Sequence, residues 1–202
     1  MLEPGNARVL EMGYGNGAFL AWCKSRGADT FGVETNPQLV ERGRALLGEA
    51  NAFESIFDPA LDVLRGSLTH IVGFDVLEHI PQSDYPALFG RFSFLGAADV
   101  TVTLRFPNGD SPFGRTTQHG DPTHVTTIGR AKVSYFAQRA GFAVKAIGAP
   151  AMPIEGIGWR RGLRRRMVLA MRFGFETLIG KLYFGQRISF DQNYTAVLIR
   201  NR

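Results

Sequence analysis

The chain has 202 residues, 45% hydrophobic and 20% charged, which is typical of a globular protein and fits one domain over residues 1–202. Cys23 is the only cysteine, so an internal disulfide bond is excluded and we expect a cytoplasmic protein. We find no signal peptide and no apolar run long enough to span a bilayer.

The net charge of +5 is concentrated near the C-terminus. Ten of the 23 Lys and Arg residues, but three of the 18 Asp and Glu residues, follow residue 154. The preceding chain therefore has 13 basic and 15 acidic residues. With no basic recognition domain and no N-P-P-Y tetrapeptide, nucleic acid is not the expected partner.

Apolar runs alternate with helical patterns in the manner of β-α-β units. The predicted strands are 8–11, 30–34, 52–57, 69–74, 99–104, 143–147 and 194–199. The predicted helices are 17–26, 37–47, 85–95 and 130–140. This alternation predicts a doubly wound α/β sheet of about seven strands.

Three alternate glycines follow the first predicted strand. The segment reads Glu11-Met12-Gly13-Tyr14-Gly15-Asn16-Gly17. Glycine accepts positive φ and has no Cβ, so the N–H groups of such a turn can approach a ligand closely, and a helix N-terminus lies behind it. Glu34 ends the second predicted strand, where a carboxylate can accept hydrogen bonds from both ribose hydroxyls. The two features predict a nucleoside cofactor.

The glycine pattern leaves two cofactors open. Gly13, Gly15 and Ala18 also satisfy the G-x-G-x-x-G/A dinucleotide pattern, which alone is a weak signal. Glu11 stands two residues before the first glycine, where a carboxylate suits the amino group of S-adenosylmethionine and would be repelled by a pyrophosphate. S-adenosylmethionine is therefore favoured over a nicotinamide cofactor.

Further segments carry a resemblance to a known family. They are Phe74-Asp75-Val76-Leu77-Glu78-His79-Ile80-Pro81 and Ala140-Gly141-Phe142. With the glycine motif, they resemble the class I S-adenosylmethionine-dependent methyltransferases, in particular the small-molecule branch with D-V-L-E-H-I-P. The resemblance covers residues 8–144. It implies S-adenosyl-L-methionine as cofactor, S-adenosyl-L-homocysteine as product, and a mostly parallel sheet whose last strand is antiparallel.

The same resemblance predicts how the cofactor lies. Its methionine end is expected over residues 11–17, including Tyr14 and Asn16, with Phe74 beside it. Its ribose is expected at Glu34. Its adenine is expected near Thr35 and the Ile56–Phe57 end of the third strand.

Residues 105–127 form a long segment without periodicity, which in a compact domain indicates a functional loop. Two segments of this loop resemble methyltransferases of saccharide and cell-surface glycan biosynthesis. They are Pro107-Asn108-Gly109-Asp110-Ser111-Pro112-Phe113-Gly114 and Gly120-Asp121-Pro122-Thr123-His124. We expect the acceptor between this loop and the region after Phe74, with Arg115 available for an anionic acceptor group.

A hydroxyl acceptor benefits from a general base, and histidine is the usual one. His124 is the leading candidate, with Asp121 placed to hold its ring, and His79 is the second. Two alternatives stay open: the Glu78-His79 pair could simply orient the following helix, and neither histidine need be catalytic. No H-x-x-x-H or paired-cysteine spacing occurs, so no metal is expected.

Residues 159–184 read as a basic amphipathic helix inserted before the last strand. Such a helix could contact an anionic membrane surface, or it could pack on the sheet or on a second subunit as a homodimer contact. Gly174 and Gly180 predict a break near residues 173–175.

The sequence thus predicts an S-adenosylmethionine-dependent methyltransferase that acts on a small-molecule or saccharide-type acceptor at oxygen. The alternative is a cofactor-binding regulatory or partner subunit without transferase activity.

Overall fold

The structure, a computed structural model, describes residues 6–151, 156 and 158–201, with the side chain of Arg115 left out. Its strands are β1 (Arg8–Met12), β2 (Asp29–Val33), β3 (Ala52–Phe53), β4 (Leu68–Phe74), β5 (Gly96–Pro107), β6 (Phe142–Gly148) and β7 (Asn193–Arg200). Its α-helices are α1 (Ala18–Ser25), α2 (Pro37–Leu47), α3 (Tyr85–Leu95), α4 (Arg115–His119), α5 (Arg130–Arg139) and α6 (Trp159–Phe184). Short 3₁₀ turns are Glu49–Asn51, Pro59–Leu64, Leu77–His79 and Gln82–Asp84.

The seven strands form one sheet in the order β3-β2-β1-β4-β5-β7-β6. Strands β1 to β5 pair in parallel, whereas β7 is antiparallel to both of its neighbours. The predicted doubly wound sheet with an antiparallel last strand is therefore confirmed. The strand order reverses between β1 and β4, and ligands of open α/β sheets bind at that point, beyond the carboxyl ends of the strands.

Helices cover both faces of the sheet. On one face, aromatic side chains of α3 and α5 fill the main core, where Phe89, Phe92 and Phe136 pack with Tyr85. On the other face, Cys23 of α1 is buried against the first and fourth strands. Cys23 is thus part of the core, and the carboxyl edge of the sheet is left to the loops.

Strand boundaries differ from the prediction by more than one residue at two strands. The third strand ends at Phe53 rather than at residue 57, because Ser55 forms a turn in which its Oγ accepts from Phe57 N (3.1 Å). The fifth strand extends to Pro107, because β7 pairs with it as far as Asn193. The long loop therefore begins at Asn108 rather than at residue 105, and it contains the short helix α4.

The predicted break in the C-terminal helix is wrong. Helix α6 runs through Gly174 and Gly180 without interruption. At Gly180 an added Cβ would lie 2.6 Å from the Gln186 carbonyl oxygen, so this glycine allows the returning chain to pack closely on the helix. No helix among the described residues is long and apolar enough to cross a membrane.

Candidate active site

The glycine turn lies at the carboxyl end of β1. Gly13, Gly15 and Gly17 have φ values of 69°, 51° and 73°, which are costly for residues with a Cβ. An added Cβ at Gly13 would lie 2.5 Å from Val76 Cγ2, whereas one at Gly15 meets nothing within 4 Å. Gly13 thus lets the loop after β4 approach, while Gly15 borders open space.

Two residues of the turn have structural side chains. Tyr14 is buried, and its hydroxyl donates to the Leu39 carbonyl oxygen (3.1 Å). Its ring occupies the space above Gly32 and Gly43. The Asn16 side chain accepts from Ala18 N at the start of α1 (3.1 Å). These side chains fix the turn, so any cofactor contact of Tyr14 is limited to its backbone.

Glu34 connects the ends of β1 and β2. Its carboxylate accepts hydrogen bonds from the backbone N–H groups of Gly15 (3.0 Å), Thr35 (2.8 Å) and Asn36 (3.1 Å). These bonds hold the carboxylate at the sheet edge in a fixed orientation. This is the position from which an acidic residue can accept from ribose hydroxyls.

A cavity of about 360 Å³ lies at this edge. It is lined by, among others, Gly13, Glu34, Thr35, Ile56, Phe57 and His79. Its size suits a nucleoside-sized ligand. The residues predicted for the ribose and adenine therefore share one cavity.

Six predicted cofactor residues are not among those that line the cavity: Glu11, Tyr14, Gly15, Asn16, Gly17 and Phe74. Phe74 packs edge-to-face on Phe19, with the Arg105 guanidinium over its ring. Glu11 is buried, and its Oε2 atom has no hydrogen-bond partner. Burial raises the pKa of Glu11 to about 8. A buried carboxylate without a partner would be stabilised by a nearby cation, and this fits the ammonium group of S-adenosylmethionine.

The fold brings together two histidines that are distant in sequence. His79 ends the 3₁₀ turn Leu77–His79 after β4, and His124 lies on the long loop. Their ring centroids are 4.9 Å apart. The loop is fixed here because Val125 N (2.9 Å) and Thr126 N (3.1 Å) both donate to the Glu78 carbonyl oxygen.

Each histidine has a backbone partner. His124 Nδ1 lies 3.2 Å from the Gln118 carbonyl oxygen. His79 Nδ1 lies 3.2 Å from the Thr123 carbonyl oxygen. A carbonyl oxygen can only accept, so each Nδ1 carries the proton and each Nε2 keeps a free lone pair in the neutral ring.

Asp121 does not orient His124 as predicted. Its Oδ2 atom is 4.0 Å from His124 Nε2, beyond hydrogen-bond distance, and Gln118 makes the orienting bond instead. Asp121 Oδ1 accepts from Thr123 N (2.8 Å) and Thr123 Oγ1 (2.6 Å). Its carboxylate therefore holds the residue that contacts His79.

Glu78 completes the cluster. Its side chain was not among the predicted site residues, although the motif that contains it was part of the family resemblance. It is 1% exposed, its Oε1 lies 4.0 Å from His124 Nε2, and its Oε2 has no hydrogen-bond partner. Burial raises the pKa of Glu78 to about 7. The D-V-L-E-H segment could have indicated Glu78, but the sequence offered no sign that it meets His124.

The neighbouring Asp75 has an unusual backbone. It is the one non-glycine residue with positive φ (55°) among the described residues. Its carboxylate pairs with Arg105 from β5. Such strain is common beside functional sites, and the ion pair joins the turn after β4 to β5.

The other histidine of the long loop is not part of this cluster. His119 is exposed at the end of α4. The side chain of Arg115 lies outside the described residues. A second cavity, of about 870 Å³, lies under α6 and is bordered by Arg172, Glu176 and Asp191. It is larger than the first, but none of the predicted cofactor residues lines it.

Comparison with known proteins identifies the family. Residues 2–147 match the family described as a methyltransferase domain. This match covers more than half of the chain, so the chain belongs to the methyltransferase-domain family. It is an enzyme of the class I type, and its methyl donor is S-adenosyl-L-methionine.

Solved structures agree with the fold. A methyltransferase from Archaeoglobus fulgidus has 16% identity and a TM-score of 0.66, over 97% of this chain and 87% of that chain. One from Mesorhizobium loti has 16% identity and a TM-score of 0.65, over 99% and 94%. Magnesium protoporphyrin IX methyltransferase from Synechocystis PCC 6803 with bound SAH has 16% identity and a TM-score of 0.59, over 98% and 75%. No curated protein matches this chain significantly.

Proposed function

We propose that this methyltransferase methylates a hydroxyl oxygen of a small-molecule or saccharide-type acceptor. The observation that carries the proposal is the free Nε2 lone pair of His124, which lies beside two carboxylates and against His79, a residue that lines the cavity at the sheet edge. An amine acceptor needs only to be delivered uncharged, whereas a hydroxyl gains from a base of this kind. The sequence of the long loop, which resembles methyltransferases of saccharide biosynthesis, supports the saccharide class.

The proposed step is a single in-line displacement. The acceptor oxygen attacks the methyl carbon, the carbon–sulfur bond breaks, and neutral S-adenosylhomocysteine leaves. The hydroxyl proton passes to His124 Nε2. The resulting imidazolium is stabilised by Glu78 and Asp121, each with a carboxylate oxygen 4.0 Å from Nε2.

We place the acceptor between the long loop and the turn after β4. His79 lines the cofactor cavity and touches His124, so an acceptor at this point would be close to the transferred methyl. His79 is the second candidate for the base. Arg115 is proposed to meet an anionic acceptor group.

Turnover of histidine variants tests the base. S-adenosylhomocysteine formation is measured with purified enzyme and a panel of hydroxylated acceptors that includes sugars. We expect His124→Ala to lower kcat by about 10²- to 10⁴-fold, with little change in cofactor affinity. His119→Ala is the matched control. Near-wild-type turnover by both His124→Ala and His79→Ala would show that histidine base catalysis is wrong.

Helix α6 supports a second proposal, peripheral contact with an anionic membrane. Its outward face carries exposed Met167, Met171, Leu178 and Leu182, four to seven residues apart, and the helix is rich in arginine. Its opposite face holds buried Glu176. A basic helix with an apolar face favours an anionic lipid surface over a second copy of itself, because two such faces would repel each other.

Vesicle sedimentation distinguishes an anionic membrane from a second copy of the chain as the partner of this helix face. We expect the full chain to bind vesicles containing anionic lipid, more weakly in high salt, and not neutral vesicles. Met171→Glu with Leu178→Glu should abolish binding, whereas Val63→Glu, at an exposed apolar residue in the 3₁₀ turn Pro59–Leu64, should not. A stable homodimer that those two glutamates dissociate would instead assign the face to a second copy.

A further inference from the structure

The cluster after β4 has a property that the sequence spacing does not suggest. Glu78, His79 and His124 each offer one potential metal-ligand atom, and these atoms all lie within 4.8 Å of one another. Because 44 residues separate His79 from Thr123, the neighbour of His124, the set arises only when the loop docks on the turn after β4. The sequence-based expectation of no metal rested on spacing alone.

The hydrogen bonds of the two imidazoles match those of metal-binding histidines. Such histidines usually donate one ring N–H to a carbonyl or carboxylate, which fixes the tautomer and leaves the other nitrogen for the metal. Here Nδ1 of His124 is bonded to the Gln118 carbonyl oxygen, and Nδ1 of His79 is bonded to the Thr123 carbonyl oxygen.

The proton on His79 Nδ1 is fixed by a second contact. Thr123 Oγ1 lies 3.1 Å from Nδ1, but its own proton goes to Asp121 Oδ1 at 2.6 Å. Thr123 Oγ1 therefore accepts from Nδ1. Both Nε2 lone pairs are consequently free.

Glu78 supplies an independent observation. Its side chain is almost fully buried, yet Oε2 has no hydrogen-bond partner. A buried carboxylate oxygen normally has a donor, and the absence of one costs stability. The His124 ring lies 4.0 Å from the Glu78 carboxylate, and the Arg105 guanidinium, whose charge also lowers the pKa of Glu78, is paired with Asp75. The carboxylate thus lacks a direct positive partner.

We propose that Glu78, His79 and His124 form a binding site for a divalent transition-metal ion of the Zn²⁺ class. Two imidazoles and one carboxylate suit such ions better than Mg²⁺ or Ca²⁺, which prefer oxygen ligands. Metal–ligand bonds of about 2.1 Å place tetrahedral ligand atoms roughly 3.4 Å apart. The distances between the three ligand atoms would therefore shorten by about 1 Å when the ion binds. His79 is exposed and lines the cavity at the sheet edge, so the proposed metal site borders the place proposed for the cofactor.

The role of the ion rests on the proposed function, whereas its binding does not. With the ion bound, His124 Nε2 is a ligand and no longer a proton acceptor. The acceptor hydroxyl would bind at the open position, where the ion lowers its pKa and its proton passes to solvent water. The oxygen then attacks the methyl carbon as before. The ion-loaded enzyme thereby activates the same hydroxyl without a histidine base.

Metal titration of the tag-free full chain tests the site. After chelator treatment, we expect calorimetry with ZnCl₂ to give one tight site per chain, and CoCl₂ to give the intense visible absorption of tetrahedral cobalt. His79→Ala, His124→Ala and Glu78→Gln should each weaken binding at least about 10-fold. His119→Ala, an exposed histidine outside the cluster, should leave it unchanged.

Two results would overturn the proposal. One is the absence of a stoichiometric site in wild-type protein whose circular dichroism shows it folded. The other is binding that His119→Ala removes and His124→Ala does not. Neither readout needs an acceptor, so failed methyl transfer would leave a measured site standing. Conversely, unchanged turnover after chelation would reject the role of the ion and leave His124 as the base.

Discussion

At the scale of single residues, the cofactor end of the site depends on two glutamates with different surroundings. Glu34 is held by three backbone N–H groups at the sheet edge. Glu11 is buried with a carboxylate oxygen that has no partner. We propose that the first accepts hydrogen bonds from the ribose and that the second meets the ammonium group of the cofactor.

Replacing Glu34 should weaken cofactor binding. We expect Glu34→Ala to cost about 1–3 kcal/mol of binding free energy for S-adenosylhomocysteine, because charge-assisted hydrogen bonds to ribose are lost. Isothermal titration measures the change. Glu41→Ala, on the exposed surface of α2, is the control. An affinity equal to that of the wild type would place the ribose elsewhere.

Glu11 should make stability depend on pH. Its pKa is about 8 in the folded protein against the ordinary value of 4.5, so the folded state binds more protons between these pH values. Stability must therefore fall as pH rises through this window, by about 3 kcal/mol between pH 5 and 8.

The variant Glu11→Gln isolates this contribution. Its free energy of unfolding should exceed that of the wild type increasingly from pH 5 to pH 8, as urea denaturation would report. Saturating S-adenosylmethionine should reduce the difference, because its ammonium group compensates the carboxylate. A gap that stays constant with pH would mean that Glu11 ionises normally in the folded protein.

At the scale of elements, α6 is attached to the body chiefly along one side. Glu176 accepts from Phe190 N (2.9 Å) and pairs with Arg187 (3.5 Å). Phe190 in turn packs on Phe113 of the long loop and on Phe175 of the helix. The helix and the proposed acceptor loop therefore share one aromatic contact.

Two glycines of α6 should respond oppositely to alanine. A Cβ added at Gly174 would meet no atom within 4 Å. Gly174→Ala should therefore stabilise the protein by about 0.5–1 kcal/mol, because alanine has the higher helix propensity. Gly180→Ala should destabilise it, because the new Cβ would lie 2.6 Å from the Gln186 carbonyl oxygen. Thermal unfolding measures both. Equal effects of the two changes would contradict the close return of the chain at Gly180.

At the scale of the whole molecule, the cofactor cavity joins loops that follow β1, β2, β3 and β4. A ligand that binds only the folded state stabilises all of these connections together. At a concentration of 100 times its Kd, S-adenosylhomocysteine should increase the free energy of unfolding by about 2.7 kcal/mol. This should raise Tm by roughly 5–10 °C in a protein of this size.

Differential scanning fluorimetry with S-adenosylhomocysteine and, separately, with NAD tests the cofactor assignment. NAD at the same concentration should leave Tm unchanged, because it offers no ammonium group to the buried Glu11 carboxyl group. A larger shift with NAD than with S-adenosylhomocysteine would contradict the cofactor assignment.

The sequence by itself determined the sheet and nominated residues for the cofactor at its carboxyl edge. Periodicity and turn residues are local, so they predict strands, helices and the glycine turn, and Glu34 follows from its place at the end of β2. The extension of β5 to Pro107 depended on pairing with Asn193, which local pattern does not encode. The continuity of α6 depended on how Gly180 packs on the returning chain.

Only the tertiary structure decided the acceptor side. The meeting of Glu78 with His124, and the choice of Gln118 over Asp121 as the group that orients the ring, require the long loop to dock on the Glu78 backbone. Such contacts join distant parts of the chain, and their hydrogen bonds depend on ångström-scale placement. No local spacing records that placement, so the histidines could be nominated from the sequence, but their shared surroundings could not.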